Sequence, residues 1–252
     1  MCGWFTERAA FALWSSAAGK PDGDAWKAIP GTELVQHKTV DGRVLRGYKI
    51  SAKRGPDATS LGTGFVLFAQ GNAMLADRLL GPLNALAGQG LDVYVFDYRG
   101  YGRSEGNRRL KAIVNDYREI FSALSAVNNS GRKSLYGISF GGLVLLNVIG
   151  SGAQFDRAVI DSTPSRVSQL GCPEQYDPVR NVPLDSAKLL VISGAKDSVV
   201  KPAEQTELLS AARSRGAHVV ISDDFAHLFM DRDPSVRKQR HAIVSEFLSG
   251  RE

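Results

Sequence analysis

Ser134-Leu135-Tyr136-Gly137-Ile138-Ser139-Phe140-Gly141-Gly142-Leu143-Val144-Leu145 decides the fold. An apolar run at 134–138, short enough for a buried strand, leads into Gly-x-Ser-x-Gly, and an apolar run at 140–150, long enough for a helix, leads out. A serine on so tight a strand-to-helix turn has its hydroxyl thrust out of the backbone, which suits a nucleophile. Gly137 and Gly141 flank it because a side chain there would crowd the turn and the helix behind it. Five residues alone are a weak signal in a 252-residue chain with 26 glycines. The weight comes from the surroundings.

On both sides short apolar runs alternate with longer helix-like ones. Residues 33–50 hold two β-like runs around Asp41-Gly42, a hairpin signal. Strands are then expected at 65–69, 92–96, 134–138, 157–160, 188–193 and 218–222. Helices are expected at 75–87, 110–127, 140–150, 202–213 and 234–248, with a polar loop at 51–63. This is the βαβ pattern of an α/β fold: an eight-stranded, mostly parallel sheet with helices on both faces and its first pair antiparallel. Residues 4–18, with Trp4, Phe5, Phe11, Leu13 and Trp14, predict an amphipathic helix in an N-terminal extension over 1–31. The domain then runs over 32–252. Packing on the domain is the expected role of that helix, a membrane surface or a partner the alternative.

The totals exclude several classes. A composition of 43% hydrophobic and 23% charged residues is that of an ordinary globular protein. The net charge of +5 comes without a basic run or an aromatic-basic stripe, so nucleic-acid binding is not expected. Two cysteines, Cys2 and Cys172, are too few for a disulfide framework and wrongly spaced for zinc. Cys2 before Gly3 is read as an incidental cysteine in a cytoplasmic protein, the alternative being a lipid-modified mature terminus.

A serine hydroxyl needs a base within reach and a third group to orient that base. Of four histidines, His37 and His218 fall in strands and His241 in the last helix. His227 alone follows a strand in a loop, at the carboxyl edge where open α/β sheets place their sites. The orienting carboxylate is expected between serine and histidine in chain order. Asp197, in Ser193-Gly194-Ala195-Lys196-Asp197, meets that condition. Asp161, closing the preceding strand, is its rival. An oxyanion needs preorganised donors. Phe140 N–H, at a helix start, is one. The other is expected in Gln70-Gly71-Asn72-Ala73-Met74, from the Asn72 N–H, with Gly71 letting the backbone come close. Met74, Leu75, Phe140, Leu228 and Phe229 would line an apolar acyl pocket or serve the core.

These segments, together with Asp97-Tyr98-Arg99-Gly100-Tyr101-Gly102-Arg103-Ser104-Glu105-Gly106, give the chain a resemblance. From about residue 32 to 248 it resembles the α/β-hydrolase-fold serine hydrolases, most of all the branch whose oxyanion turn reads His-Gly-Asn-Ala. The resemblance implies esterase or thioesterase chemistry on small or acylated substrates, by a serine triad and without a cofactor. Small-peptide peptidase action, or a degenerate hydrolase kept for binding, are the alternatives. Two departures stand out. Gln70 replaces the branch's histidine, and only 26 residues, 162–187, separate two strands where many relatives insert a lid. A minimal lid or none is expected, the site being open or covered by a short loop at 171–183. Asp97, Arg99 and Ser104 are expected to brace the loop under the oxyanion turn.

Overall fold

The computed structural model describes residues 2–53 and 64–250; the side chains of Trp4 and Phe5, and most of the loop read at 51–63, lie outside the described residues. The principal elements are α1 (Trp4–Ala17), β1 (Thr32–Lys38), β2 (Val44–Ile50), β3 (Gly64–Ala69), α2 (Leu80–Ala87), β4 (Asp92–Phe96), α3 (Leu110–Val127), β5 (Arg132–Ile138), α4 (Phe140–Gly150), β6 (Arg157–Asp161), β7 (Leu189–Gly194), α5 (Pro202–Ser214), β8 (His218–Ser222) and α6 (Pro234–Ser249). The eight strands form one sheet in the order β1-β2-β4-β3-β5-β6-β7-β8. This is the mostly parallel α/β sheet that the strand and helix periods predict. The chain divides into two compact units, Met1–Ser134 and Leu135–Glu252.

In the first unit β1 and β2 pair antiparallel, from Thr32 against Ile50 to Lys38 against Val44. The turn between them is longer than Asp41-Gly42 suggests, because Thr39 N–H bonds to Arg43 O and the hairpin closes around 39–43. β2 is also antiparallel to β4, whereas β3 and β4 are parallel. α3 buries Leu110, Ile113, Val114, Tyr117, Ile120 and Phe121, the three-and-four spacing of one helical face. The helix read at 75–87 splits into a 3-10 turn at Ala76–Leu79 followed by α2. Pro82 accounts for the break: in a helix continuous from residue 76 its ring would strike the Arg78 carbonyl, whereas the first turn of α2 accommodates it. α1 packs within this unit. Phe11 is fully buried, and Glu7 accepts the Leu110 N–H at 2.8 Å and an Arg109 N–H at 2.9 Å, which caps α3.

In the second unit β6, β7 and β8 are parallel. β7 is buried along its whole length, and α4 is buried from Phe140 to Ile149. Residues 162–188 carry three 3-10 turns and no inserted lid. Asp177, wholly buried, pins this segment by accepting the N–H groups of Val167 at 2.7 Å and Ser168 at 2.8 Å and the Ser168 hydroxyl at 2.7 Å. Among the described residues no helix is long and apolar enough to cross a membrane. Neither cysteine is a free thiol.

Candidate active site

β5 ends at Ile138, and Ser139 takes φ 53° and ψ −118° before α4 begins at Phe140. For a residue with a Cβ this backbone costs about 1–3 kcal/mol, and it persists only where the surroundings impose it. The imposing contacts are specific. Ser139 N–H bonds to Asp161 O at 2.8 Å, and the Thr163 hydroxyl lies 3.1 Å from Ser139 O. A Cβ at Gly137 would sit 2.7 Å from Gly141 O, and one at Gly142 would sit 1.9 Å from the Thr163 hydroxyl. Both glycines are therefore required by close approach. The Ser139 side chain does not cap α4, so its hydroxyl is not spent on the helix that it begins.

His227 and Asp197 meet directly, His227 Nδ1 standing 2.9 Å from Asp197 Oδ2. Asp197 Oδ1 accepts the N–H groups of Val199 and Val200, each at 2.9 Å, and Gln205 Nε2 lies 3.5 Å from Oδ2. Burial alone would raise the Asp197 carboxyl. The His227 hydrogen bond and charge, with the two backbone donors, outweigh it and hold the group below the ordinary aspartate range. A carboxylate anchored in this way leaves one oxygen to fix the imidazole with its proton on Nδ1, so that Nε2 is the acceptor. Ser139, Asp197 and His227 follow β5, β7 and β8 and are all buried. They thus stand after the carboxyl ends of strands on one side of the sheet.

The family model described as serine aminopeptidase, S33 matches residues 63–180. The protein YfhR of Escherichia coli (strain K12) is 29% identical over 239 residues, covering 86% of this chain and 80% of its own. The protein Rv2307c of Mycobacterium tuberculosis (strain ATCC 25618 / H37Rv) is 30% identical over 225 residues, covering 82% and 76%. The chain belongs to the α/β-hydrolase family. The same fold is found in the Pyrococcus furiosus esterase Pf2001, with a TM-score of 0.69, 20% identity and coverage of 87% of this chain and 92% of that one.

In this hydrolase the rival carboxylate is otherwise engaged. Asp161 binds Arg240 through both oxygens, Nε at 3.0 Å and Nη2 in a shorter contact, while its carbonyl takes the Ser139 N–H. His227 is oriented by Asp197 and not by Asp161. The sequence reading missed Arg240, Asp231 and Ser162, which surround the His227 loop. Arg240 falls among Arg237, Lys238 and Gln239, and such a stretch of a final helix reads as a solvated face. The one sequence clue is Asp161-Ser162 closing an apolar strand. The remaining histidines fall outside the site: His37 lies 3.6 Å from Glu119, His218 packs on Phe247, and His241 contacts Ser245.

The Gln70–Met74 segment of the hydrolase belongs to the first unit. The Gln70 side chain turns into that unit, where Nε2 donates to Phe96 O at 2.9 Å and Tyr117 Oη stands 3.5 Å from Oε1. Tyr98 Oη donates to Gln70 O at 2.5 Å. The residue in the histidine's place thus anchors the turn from within the unit, with Gly71 buried and Asn72 half-buried beside it. Ala73 takes φ 56° in the same turn, and Asn72 Oδ1 is buried without a hydrogen-bond partner. Asp97 Oδ1 accepts the Ala76 N–H at 2.8 Å, the Ser104 hydroxyl donates to Asp97 O at 2.7 Å, and Arg99 pairs with Asp41 and Asp116. Asp97 and Ser104 brace the segment that follows the Gln70–Met74 turn, whereas Arg99, expected to do the same, ties the β1–β2 turn to α3. Of the candidate pocket residues, Leu75 and Phe140 are buried, Met74 and Leu228 half-buried, and Phe229, with φ 71°, exposed.

Proposed function

We propose that this hydrolase cleaves carboxylic esters or thioesters of acyl substrates through an acyl-enzyme on Ser139. The observation that carries the reading is the 2.9 Å bond from His227 Nδ1 to an Asp197 anchored by two backbone N–H groups, in a chain whose Ser139 is held at φ 53° on a strand-to-helix turn. Ser139 Oγ attacks the acyl carbonyl while His227 Nε2 takes the hydroxyl proton. Asp197 stabilises the imidazolium without being protonated itself. The Phe140 N–H, first in α4, is aimed by the helix dipole at developing negative charge. His227 returns the proton to the leaving alcohol or thiol. It then removes a proton from water, which attacks the acyl carbon, and gives that proton to Ser139 Oγ as the acyl–Oγ bond breaks and the acid leaves.

Ser139→Ala should abolish both hydrolysis of short p-nitrophenyl esters and labelling by a fluorophosphonate. Persistence of either in the variant overturns the assignment of the nucleophile. The aminopeptidase description of the matching family model favours a second reading, hydrolysis of small peptides by the same residues. An ester, thioester and peptide panel separates the two by relative kcat/KM.

A further inference from the structure

Among the described residues Arg240 is the largest side chain wholly withdrawn from solvent, 1% exposed, on a helix otherwise rich in exposed charge. A guanidinium has five N–H donors in a fixed fork, and here all five are used. Nε donates to Asp161 Oδ2 at 3.0 Å; Nη2 donates to Asp161 Oδ1 and, at 2.9 Å, to the Ser162 hydroxyl. Nη1 donates to Ala226 O at 2.9 Å and to Asp231 Oδ2 at 3.0 Å. Behind the guanidinium lies the Phe225 ring, its centroid 4.8 Å away.

These partners are not scattered. Phe225, Ala226 and Leu228 flank His227; the first two contact Arg240, and the third bonds to the Ser162 hydroxyl that Arg240 also binds. Ala226 has its carbonyl on Arg240 and its N–H on Asp231 Oδ1 at 2.7 Å. Leu228 N–H reaches the Ser162 hydroxyl at 3.4 Å. Asp161, on the other side of the guanidinium, takes the Ser139 N–H on its carbonyl. Ser162 is held at φ 52°, a conformation that serves to place its hydroxyl between Arg240 and Leu228. A buried ion pair of this kind is weak evidence for stability, since apolar packing often does as well. What apolar packing cannot do is tie two loop positions to a strand end through directed hydrogen bonds.

We propose that Arg240 is a positioning residue, one guanidinium that sets the two flanks of His227 against the strand end holding Ser139. The claim rests on the reading of Ser139 and His227 as nucleophile and base, and deepens it. Lysine keeps the charge but offers a single point of donation, so it cannot span Asp161, Ser162, Ala226 and Asp231 together.

The test compares wild type with Arg240→Lys, Ser162→Ala and, one turn further along α6, Val244→Ala, which removes only buried methyl groups. Three quantities are read: the rate of fluorophosphonate labelling, kcat and KM on a short p-nitrophenyl ester, and the His227 Nδ1–H proton resonance. Arg240→Lys should lose about a hundredfold in labelling and kcat with little change in KM, because a base misplaced by an ångström costs that much. Its Nδ1–H resonance should broaden or vanish. Ser162→Ala should lose about tenfold, one of the two flanks being freed. Val244→Ala should melt lower yet label at the wild-type rate, which a merely structural role for Arg240 would not distinguish. A folded Arg240→Lys that labels as fast as wild type with its resonance intact overturns the proposal. If that variant does not fold, Ser162→Ala decides in the same way. Failure of the functional reading looks different: wild type itself would be unlabelled, while the resonance comparison would still settle whether Arg240 holds His227.

Discussion

Asp197→Asn should cost far more activity than its near-identical shape suggests. Asp197 Oδ1 accepts two backbone N–H groups at 2.9 Å, from Val199 and Val200. An asparagine must keep its oxygen there, which places its NH2 where Oδ2 now faces His227 Nδ1 at 2.9 Å and Gln205 Nε2 at 3.5 Å. Two donors cannot share that bond, so His227 must accept on Nδ1 and carry its proton on Nε2. In the proposed mechanism the nitrogen that takes the serine proton is then blocked. The same tautomer error in a serine-protease triad costs about four orders of magnitude in kcat, roughly 5 kcal/mol of barrier, and a loss of that size is expected here. Asp197→Ala offers no opposing donor and leaves the tautomer free, so it should be more active than the asparagine variant. It should also be less stable, by about 1–3 kcal/mol, because the Val199 and Val200 N–H groups lose their buried partner. Initial rates on p-nitrophenyl acetate, melting curves and nitrogen NMR of the His227 ring read the three consequences. An asparagine variant within tenfold of wild type, or more active than the alanine variant, would falsify the reasoning.

Two further outcomes follow from other contacts. Gly142→Ala puts a methyl 1.9 Å from the Thr163 hydroxyl and 3.1 Å from Ile160 Cγ2, so it should cost about 1–3 kcal/mol by overpacking and lower the melting temperature by several degrees. Adding Thr163→Ala should recover part of that loss, and a purely additive double variant refutes the clash. Burial, with Asp77 adding to it, pushes Asp97 up to about 6 despite the Ala76 N–H bond. A pKa raised on folding means that the group's favourable contribution is complete below the unfolded value near 4 and is lost as pH rises to about 6, an effect of roughly 3 kcal/mol. Melting temperature should therefore fall between pH 4 and pH 7 in wild type and fall less in Asp97→Asn; equal slopes refute the assignment.

The parts of the site that were readable in the sequence are those whose chemistry depends on local backbone. The Ser139 turn needs its glycines within a few residues, and the structure shows why at Gly137 and Gly142. His227 could be picked because it alone of the four histidines lies in a loop directly after a strand, and Asp197 because it follows a strand between the serine and the histidine in chain order, and they do bond to each other. Pro82 shows the limit on helices: the apolar period crosses residues 75–87, but the ring interrupts the backbone there. The 3-10 turns of 162–188 were not foreseen, because Asp177, which pins them, reads as one more loop aspartate until its three donors are seen.

The sequence by itself determined the alternation of strands and helices and the tight turn at Ser139, since periodicity and tight turns are properties of neighbouring residues. Only the tertiary structure decided which carboxylate bonds to His227 and which groups Arg240 meets. Asp161 and Asp197 both follow buried strands and are chemically alike; the difference between them is that Arg240, 79 residues beyond Asp161, arrives on α6 to occupy one and leaves the other to the imidazole. No local pattern encodes such a meeting, because the partners of a buried guanidinium are chosen by the packing of distant segments.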